Sequence, residues 1–461
     1  MDRRPPVSDR TPPSSAERIT YLAAELSDRG IDLVRVLWSD LHGVARGKEI
    51  PTDELPRFAD HGVAFCQALM VTDLAGNPLH VPESAGSGWP DADARIDPDT
   101  LALPGYAPGI AYLLAEVTDP AAHGAPLRFD PRSLLRGQVD RLTTRGLHPV
   151  AAPELEFYLL REDRTAPHGW RRYLERDTAG YVVGTAYDPD DMLPLLIREC
   201  RALGLGVLAG IQEFSGGQYE INQGHGPALA AADKAFLFKY AVKEIAARNG
   251  MRATFMGKPF ADRSGSGNHV HLSLTDAQGR NLFADDTAAD GLSPLAKAFL
   301  AGLLEHAPAL MAVLNPTVNA YKRLAASGSL APTAANWGYD NRLAYARIPP
   351  ERGPGARVEV RIGDGAGNPY LTIAALLAAG LDGVENGLVP PPPISGDRGD
   401  EGAPLPTSFG EALTALEQDK VLGEALGDRF VQVFTELKRM ELARFAQAVT
   451  DWEFNEYSWM L

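Results

Sequence analysis

The sequence predicts an α+β protein built from one small and one large domain, and three observations carry that expectation. Its 461 residues exceed the ~100 to 200 of a usual domain several times over. Hydrophobic residues make up 45% of the chain and charged residues 23%, which supports a large core, whereas a disordered chain has fewer apolar residues and a more lopsided charge. Strand-like and helix-like segments follow one another without the regular alternation of a doubly wound sheet.

Residues 1–16 are rich in Pro, Ser and charge and predict a disordered tail without an apolar signal core. Residues 17–29 have helical spacing. The run IDLVRVLWSDLHGVARGKEI predicts a strand, a turn at His42 and Gly43, and a second strand. Further short strands are expected in GVAFCQALMVTD and GIAYLLAEV, separated by an irregular Gly/Pro/Asp-rich stretch at 76–99. The turn-forming string DPAAHGAP sets a boundary there, giving a small domain at 17–121 and a large one at 122–461. Beyond it, PRSLLRGQVDRLTTRG predicts a helix, VAAPELEFYLL a strand, and ALAAADKAFLFKYAVKEIAARNG a long helix with an Asn-Gly stop. Strands are expected at ATFMGKPF, GNHVHLSL and ARVEVRIG, helices at SPLAKAFLAGLLEHA and LTIAALLAAGLDGVENG, and a loop at 390–406 before a helical C-terminal region.

A net charge of −16 argues against nucleic-acid or anionic-membrane partners, both of which need a basic surface. No apolar run of ~18 residues is present to span a bilayer. Two cysteines, Cys66 and Cys200, are too few for a disulfide framework. A cytoplasmic protein acting on small molecules is the expectation.

Side chains two apart on a strand share a face. PELEFYL therefore puts Glu154 and Glu156 on one side, GNHVHLSL does so for His269, His271 and Ser273, and ARVEVRIG for Arg357, Glu359 and Arg361. One such row often just faces water. Three rows of carboxylates, imidazoles and guanidiniums point instead to a shared polar cavity. Glu213 and Glu220 flank Ser215-Gly216-Gly217, expected to be a flexible turn that brings them together. Five glutamates and one histidine suit Mg²⁺ or Mn²⁺ better than zinc, and their number implies two ions. Two hard cations beside Arg342, Arg347, Arg357 and Arg361 form the apparatus of phosphoryl transfer. No P-loop motif is present. GDGAGN after Ile362 reads as a turn, and RSGSGNH as a mobile loop.

The strings PELEF, EFSGGQYE, KPF followed by GSGNHVHLSL, NPTVNAYKRL, NRLAYARIP and RVEVRIGDGAGNPYL resemble, in order, the glutamine synthetase superfamily. The resemblance implies a small N-terminal β-grasp domain and a large catalytic domain whose curved antiparallel sheet is flanked by helices. It implies one metal at Glu156, Glu213 and Glu220 and a second at Glu154, His269 and Glu359. His271, Ser273, Arg347 and Arg357 match ATP-binding positions, with Arg342 also on the phosphates. Gly265, Arg323, Arg342 and Arg361 match positions that grip glutamate and its acyl phosphate, and Arg342 and Arg361 are the implied catalytic pair. The implied reaction forms a γ-glutamyl phosphate from glutamate and ATP, which an amine then opens. The implied assembly is a homo-dodecamer of two hexameric rings with active sites between subunits.

The chain departs from that pattern in two places. Relatives that use ammonia carry two acids that hold and deprotonate ammonium, one in an F-D-G-S-S-like stretch and one in a P-G-Y-E-A-P-like flap. Here the first aligns with FCQA at 65–68 and the second with SGSLAP at 327–332, so Ser329 stands in place of the glutamate. Ser264 also replaces an asparagine of the lid. An ammonium ion needs negative charge around it, whereas an alkylamine needs room. The chain is therefore similar to the γ-glutamylamide ligases that act on polyamines, ethanolamine or other primary amines, with an amine pocket expected from loops at 66–70 and 83–89. The alternatives are glutamine synthetase proper, with Asp60, Asp73 or Glu83 as substitute acid, and a regulatory or scaffold protein of the same fold.

Overall fold

The computed structural model describes residues 14–82, 88–166, 168–177, 179–325 and 331–461. The first helix, Ser15–Asp28, starts earlier than its apolar spacing suggests because Ser14 caps it, in a reciprocal capping box with Glu17. Ile19, Ala23 and Leu26 form its buried stripe. Most of the expected tail, residues 1–13, lies outside the described residues.

The N-terminal sheet runs in the order Ala45–Pro51, Leu33–Ser39, Ile110–Asp119, Asp91–Ala102, Val63–Cys66. Leu33–Ser39 and Ile110–Asp119 are parallel and the other neighbours along this path antiparallel. The turn before Ala45 is made by Gly43 with a left-handed φ of 76°.

Two expectations fail here. The strand expected at 62–73 stops at Cys66, and the chain then winds into a short 3₁₀ helix, Gln67–Val71, so its apolar run belongs to a turn that buries Met70 and Val71. The stretch at 76–99 is not all irregular, because Asp91–Ala102 is a full strand. Its inward residues Ala92, Ala94 and Ile96 are buried, but two of the three are alanine, a weak apolar signal among the charged Asp91, Asp93, Arg95 and Asp97, and Pro98 falls where the register shifts.

In the large sheet the order is Trp337–Tyr339, Ala346–Ile348, Val358–Val360, Asn268–Thr275, His148–Glu162, Gln218–Gln223, Val207–Gln212. Only Trp337–Tyr339 and Ala346–Ile348 run parallel among these. The 15-residue strand His148–Glu162 changes partners on both edges near its middle. One edge pairs first with Asn268–Thr275 and then with Met251–Thr254. The other pairs with Gly226–Pro227, Gln218–Gln223 and Trp170–Arg172 in turn. Loops therefore leave the sheet around Glu154–Tyr158, and there the cavity opens.

Leu155, Phe157, Val270, Leu272, Val358 and Val360 face a helical layer and are buried. That layer includes Pro131–Thr143, Ala228–Arg248 and Pro369–Glu385, the last apolar on nearly every side and buried along nearly its whole length. Phe157 packs against Phe238 and Phe255 at ring centroid distances of 6.1 and 5.3 Å. No single helix is long and apolar enough to cross a membrane, and the bent pair Pro294–Glu305 and Ala307–Leu314 that passes by composition is largely buried in this core.

The strand expected at ATFMGKPF lies earlier, at Met251–Thr254, and overlaps that string only at Ala253 and Thr254, while ARVEVRIG shrinks to Val358–Val360. At the first, the chain must leave the sheet because Gly257 presses on Asp364, whose Oδ2 would lie 1.6 Å from any added Cβ. Neither the helix Met192–Ala202, although Met192, Leu196 and Cys200 recur every four residues as its buried stripe, nor the strand Val207–Gln212 is among the expected elements.

The N-terminal sheet is tied to the helical layer by polar contacts. The buried Arg132 reaches Asp97 and Asp233 at 2.8 Å and Glu116 at 3.1 Å, and Asn368 Nδ2 donates to Ser39 Oγ and to the Asp40 carbonyl.

Helices Pro294–Glu305 and Pro369–Glu385 cross at Gly302 and Gly383, where a Cβ on Gly302 would stand 2.1 Å from the Ala379 carbonyl oxygen. Gly302→Ala must push the helices apart, and we expect a loss of about 1–3 kcal/mol, read as a lowered midpoint of urea unfolding.

Candidate active site

Strand register assembles the polar face. Glu220 is opposite Glu156, His269 opposite Glu154, and His271 opposite Glu359. Six side chains on four adjacent strands thus meet on the side away from the helices. Glu213, at the turn before Gln218–Gln223, joins Glu156 and Glu220, with one oxygen from each within 4.8 Å of the others. Glu154 forms two further groups of that size, one with Glu220 and His269 and one with His271 and Glu359. His269 Nδ1 lies 3.6 Å from Glu154 and 3.9 Å from Glu359, while its Nε2 is 4.0 Å from Glu156. The set expected around the second ion is therefore together, with His271 as an additional neighbour.

Arg357 Nε donates to His271 Nδ1 at 3.1 Å, which requires a lone pair there. The His271 proton then sits on Nε2, 3.0 Å from Glu154 Oε1. Glu359, 1% exposed, is held by Arg347 Nη1 at 2.6 Å and by Arg361 Nη1. Arg361 Nε in turn donates to the Arg342 carbonyl at 3.0 Å.

Two cavities flank this face. One, of about 980 Å³, is lined by Glu154, Glu156, Glu213, Glu220 and His269 together with Gly265, Arg323, Arg342 and Arg361. The other, of about 750 Å³, is lined by Arg342, Arg347 and Arg357 with Tyr339 and Ile394. Arg342 belongs to both. Ser273, level with Val150 on the next strand, is among the lining residues of neither cavity. Ser329 lies outside the described residues.

The electrostatics divide the carboxylates into two kinds. Burial works against the charge of Glu154 and Glu359, but His269 and His271 hold Glu154 well below the ordinary carboxylate range, and His269, Arg361, His271 and Arg347 hold Glu359 down to about 2. Glu213 and Glu220 are the opposite case. Burial, reinforced by Glu156, pushes Glu213 up to about 7, and burial with Glu154 and Glu156 pushes Glu220 up to about 8. Oxygen-rich, with excess negative charge and one or two imidazoles, the cluster fits hard divalent cations.

The loops are stiffer than expected. Ser215-Gly216-Gly217 is buried, and a Cβ on Gly216 would lie 2.2 Å from the Arg176 carbonyl oxygen, so close packing rather than flexibility brings Glu213 to Glu220. The loop after Asp262 is also pinned: Tyr158 Oη donates to the Ser264 carbonyl at 2.7 Å, and Ser264 N–H donates to Ser215 Oγ at 3.0 Å. Gly265 must be glycine, since a Cβ would meet Arg323 Cγ at 2.4 Å.

Sequence reasoning missed several contributors. Gln218 Nε2 donates to Glu156 Oε2 at 3.2 Å and to the Gly265 carbonyl at 2.9 Å; its place two residues before Glu220 was the available signal. GDGAGN is more than a turn. The buried Lys239 donates to the Gly365 and Gly367 carbonyls at 2.9 and 2.8 Å, and the buried Arg323 donates to those of Ile362 and Gly363. Lys258, Arg263, Tyr181 and Phe214 complete much of the larger cavity's wall.

A family profile described as "Glutamine synthetase, catalytic domain" matches residues 128–457. The chain is 36% identical over 448 residues to a glutamine synthetase of Thermus thermophilus, covering 94% of this chain and 97% of the relative. It is 35% identical over 462 residues to "Gamma-glutamylethanolamide synthetase GlnA4" of Streptomyces coelicolor, covering 97% and 96%. Among solved structures, one titled "GmaS/ADP complex-Conformation 1" superposes with a TM-score of 0.85 at 36% identity, covering 95% of this chain and 99% of the other.

Because Glu213 and Glu220 carry raised folded-state values, near 7 and 8, their contribution to metal-free stability is full at low pH and is lost as pH rises through those values. A bound cation displaces their protons and reverses the loss. The rise in melting temperature on adding Mn²⁺ or Mg²⁺ is therefore expected to be small at pH 6 and to grow up to about pH 8.5, and Glu220→Gln is expected to abolish most of that growth. Differential scanning calorimetry across pH, with and without metal, checks both outcomes.

Proposed function

The chain belongs to the glutamine synthetase family, whose members are ATP-dependent ligases of glutamate with ammonia or an amine, and from that premise we propose that this one uses a primary amine other than ammonia. A polyamine, ethanolamine or an alkylamine is the class of acceptor. The observation that carries the reading is a pair of missing acids beside an intact metal-ligand set. FCQA at 65–68 and SGSLAP at 327–332 hold no carboxylate at the two places where ammonium would be gripped, while the glutamates and His269 remain gathered on one face.

One substitute acid is engaged elsewhere. Asp73 accepts from the Ala75 and Asn77 backbone N–H groups at 2.9 and 2.8 Å and faces Arg444 at 3.2 Å, so it holds a turn and is committed. Glu83 lies outside the described residues.

In the proposed reaction a γ-carboxylate oxygen of glutamate attacks the γ-phosphorus of ATP, ADP departs, and γ-glutamyl phosphate forms. The amine nitrogen then attacks the acyl carbon, inorganic phosphate leaves, and the nitrogen loses a proton. We assign Arg323 and Gly265 to holding glutamate, and Arg347 and Arg357, the latter bonded to His271, to the nucleotide side, whereas Ser273 lines neither cavity and is given no role. Arg342, shared by the two cavities, and Arg361 would face the phosphoryl group as it passes between them. Glu156, Glu213 and Glu220 would hold one Mg²⁺ or Mn²⁺, and Glu154, His269 and Glu359 another, with His271 in reserve. Such ions, when bound, neutralise charge on the transferred phosphate.

Further proposals follow from the same reading. We divide the chain into units at 17–121 and 122–461. No described residue before Glu154 lines the larger cavity, and we propose that a neighbour's 66–70 segment completes it within a ring-based homo-dodecamer; residues 83–87 of the expected amine pocket lie outside the described residues. Dependence on ATP and two unpaired cysteines support a cytoplasmic location.

Phosphate release from glutamate and ATP is expected with at least one carbon-bearing primary amine at a kcat/KM ten-fold or more above that with ammonium. A preference for ammonium in a panel of ethanolamine, putrescine, methylamine and isopropylamine would instead identify a glutamine synthetase.

A further inference from the structure

The carboxylate of Asp177 faces three separate segments of the chain. Its Oδ1 accepts from Arg172 Nη1 at 2.6 Å and from the Gly216 N–H at 3.2 Å, and its Oδ2 stands 3.6 Å from Arg263 Nε. Arg172 ends the strand Trp170–Arg172, Gly216 lies in the turn between Glu213 and Glu220, and Arg263, whose Nη1 also pairs with Asp262 at 2.6 Å, opens the loop that reaches Gly265 in the wall of the larger cavity. Burial works against the charge of Asp177, but the Gly216 N–H and the two guanidiniums hold its carboxyl below the ordinary range.

The chain just before Asp177 is also the seat of that turn, since a Cβ on Gly216 would strike the Arg176 and Leu174 carbonyl oxygens at 2.2 and 2.6 Å. The turn holds the loop in its own right: Ser215 Oγ accepts from the Ser264 N–H, and Gln218 Nε2 donates to the Gly265 carbonyl. Yet 49% of the Asp177 side chain is open to water. Ion pairs of such groups add little to stability, and Arg172 has the Glu175 and Gly216 carbonyls as further acceptors. A carboxylate that the fold hardly needs, spanning a turn between two metal-ligand candidates and a loop of the cavity wall, is placed to align one with the other.

We propose that Asp177 is a positioning residue that locks the Glu213–Glu220 turn to the 263–265 loop, so that a divalent cation held at the turn and glutamate held at the loop strengthen each other's binding. The inference rests on assigning Glu213 and Glu220 to a metal and Gly265 to glutamate, and goes further by naming the group that joins the two. Linkage makes the effect reciprocal: the factor by which the cation tightens glutamate equals the factor by which glutamate tightens the cation.

Calorimetric titration of the full-length protein without ATP reads glutamate affinity with and without Mn²⁺, and Mn²⁺ affinity with and without glutamate. It compares wild type with Asp177→Asn, Asp177→Ala, Arg263→Ala and the double variant Asp177→Ala/Arg263→Ala. In wild type the two coupling factors are expected to agree, at about ten-fold or more. Asp177→Asn and Asp177→Ala are expected to remove most of that factor while lowering the melting temperature by no more than about 4 °C. The double variant is expected to lose little more coupling than Asp177→Ala, because both side chains act through one contact. Unchanged coupling in both Asp177 variants overturns the inference alone, as does a loss of each separate affinity with the coupling retained, or a wild type that binds glutamate equally well without Mn²⁺. A wild type that does not bind glutamate even with Mn²⁺ overturns the ligase reading, and this inference with it.

Discussion

Everything in this molecule is arranged around carboxylates that repel one another. Strand register, not loop flexibility, forces Glu154, Glu156, Glu220 and Glu359 onto one face, with Glu213 brought in by a packed turn. The cost shows as Glu213 and Glu220 clinging to protons, whereas Glu359 is kept charged by two guanidiniums. Such crowding destabilises a fold by itself and persists because the helical layer behind the sheet is extensive enough to carry it.

That layer does more than supply apolar contacts. Lys239, on the long helix Ala228–Arg248, reaches through the core to hold the carbonyls of GDGAGN, and Arg323 holds the carbonyls just before them. Asp364, between these two cations, is wedged against Gly257. Two cations and one carboxylate, all buried, thus fix the backbone beneath the larger cavity. Buried charges of this kind are tolerable only when paired or hydrogen-bonded, and here each cation is satisfied in part by main-chain oxygens, so the floor of the site is rigid.

Much of this was legible in the sequence. Alternation in PELEFYL, GNHVHLSL and ARVEVRIG correctly separated polar from buried faces, because a period of two survives on any sheet with one covered side. What failed was where several signals compete. The strand Asp91–Ala102 was hidden by alanines on its inner face and charges on its outer one, and the apolar run after Cys66 belonged to a 3₁₀ turn. Glycine-rich strings were read as mobile, whereas Gly216 and Gly265 are glycine because backbone or side chain stands where a Cβ would go. Tyr181 and Phe214 escaped because a contact across some thirty residues leaves no local trace, whereas Gln218 had only its place two residues before Glu220 to mark it. Family resemblance named candidate ligand positions but was silent on the aromatic wall.

Arg342 has a consequence of its own. As the side chain common to both cavities among the described residues, it couples their shapes: a substitution that enlarges one cavity by displacing it also alters the other. Diversification of either is then channelled to walls that touch one cavity alone, leaving the shared partition fixed while the periphery drifts.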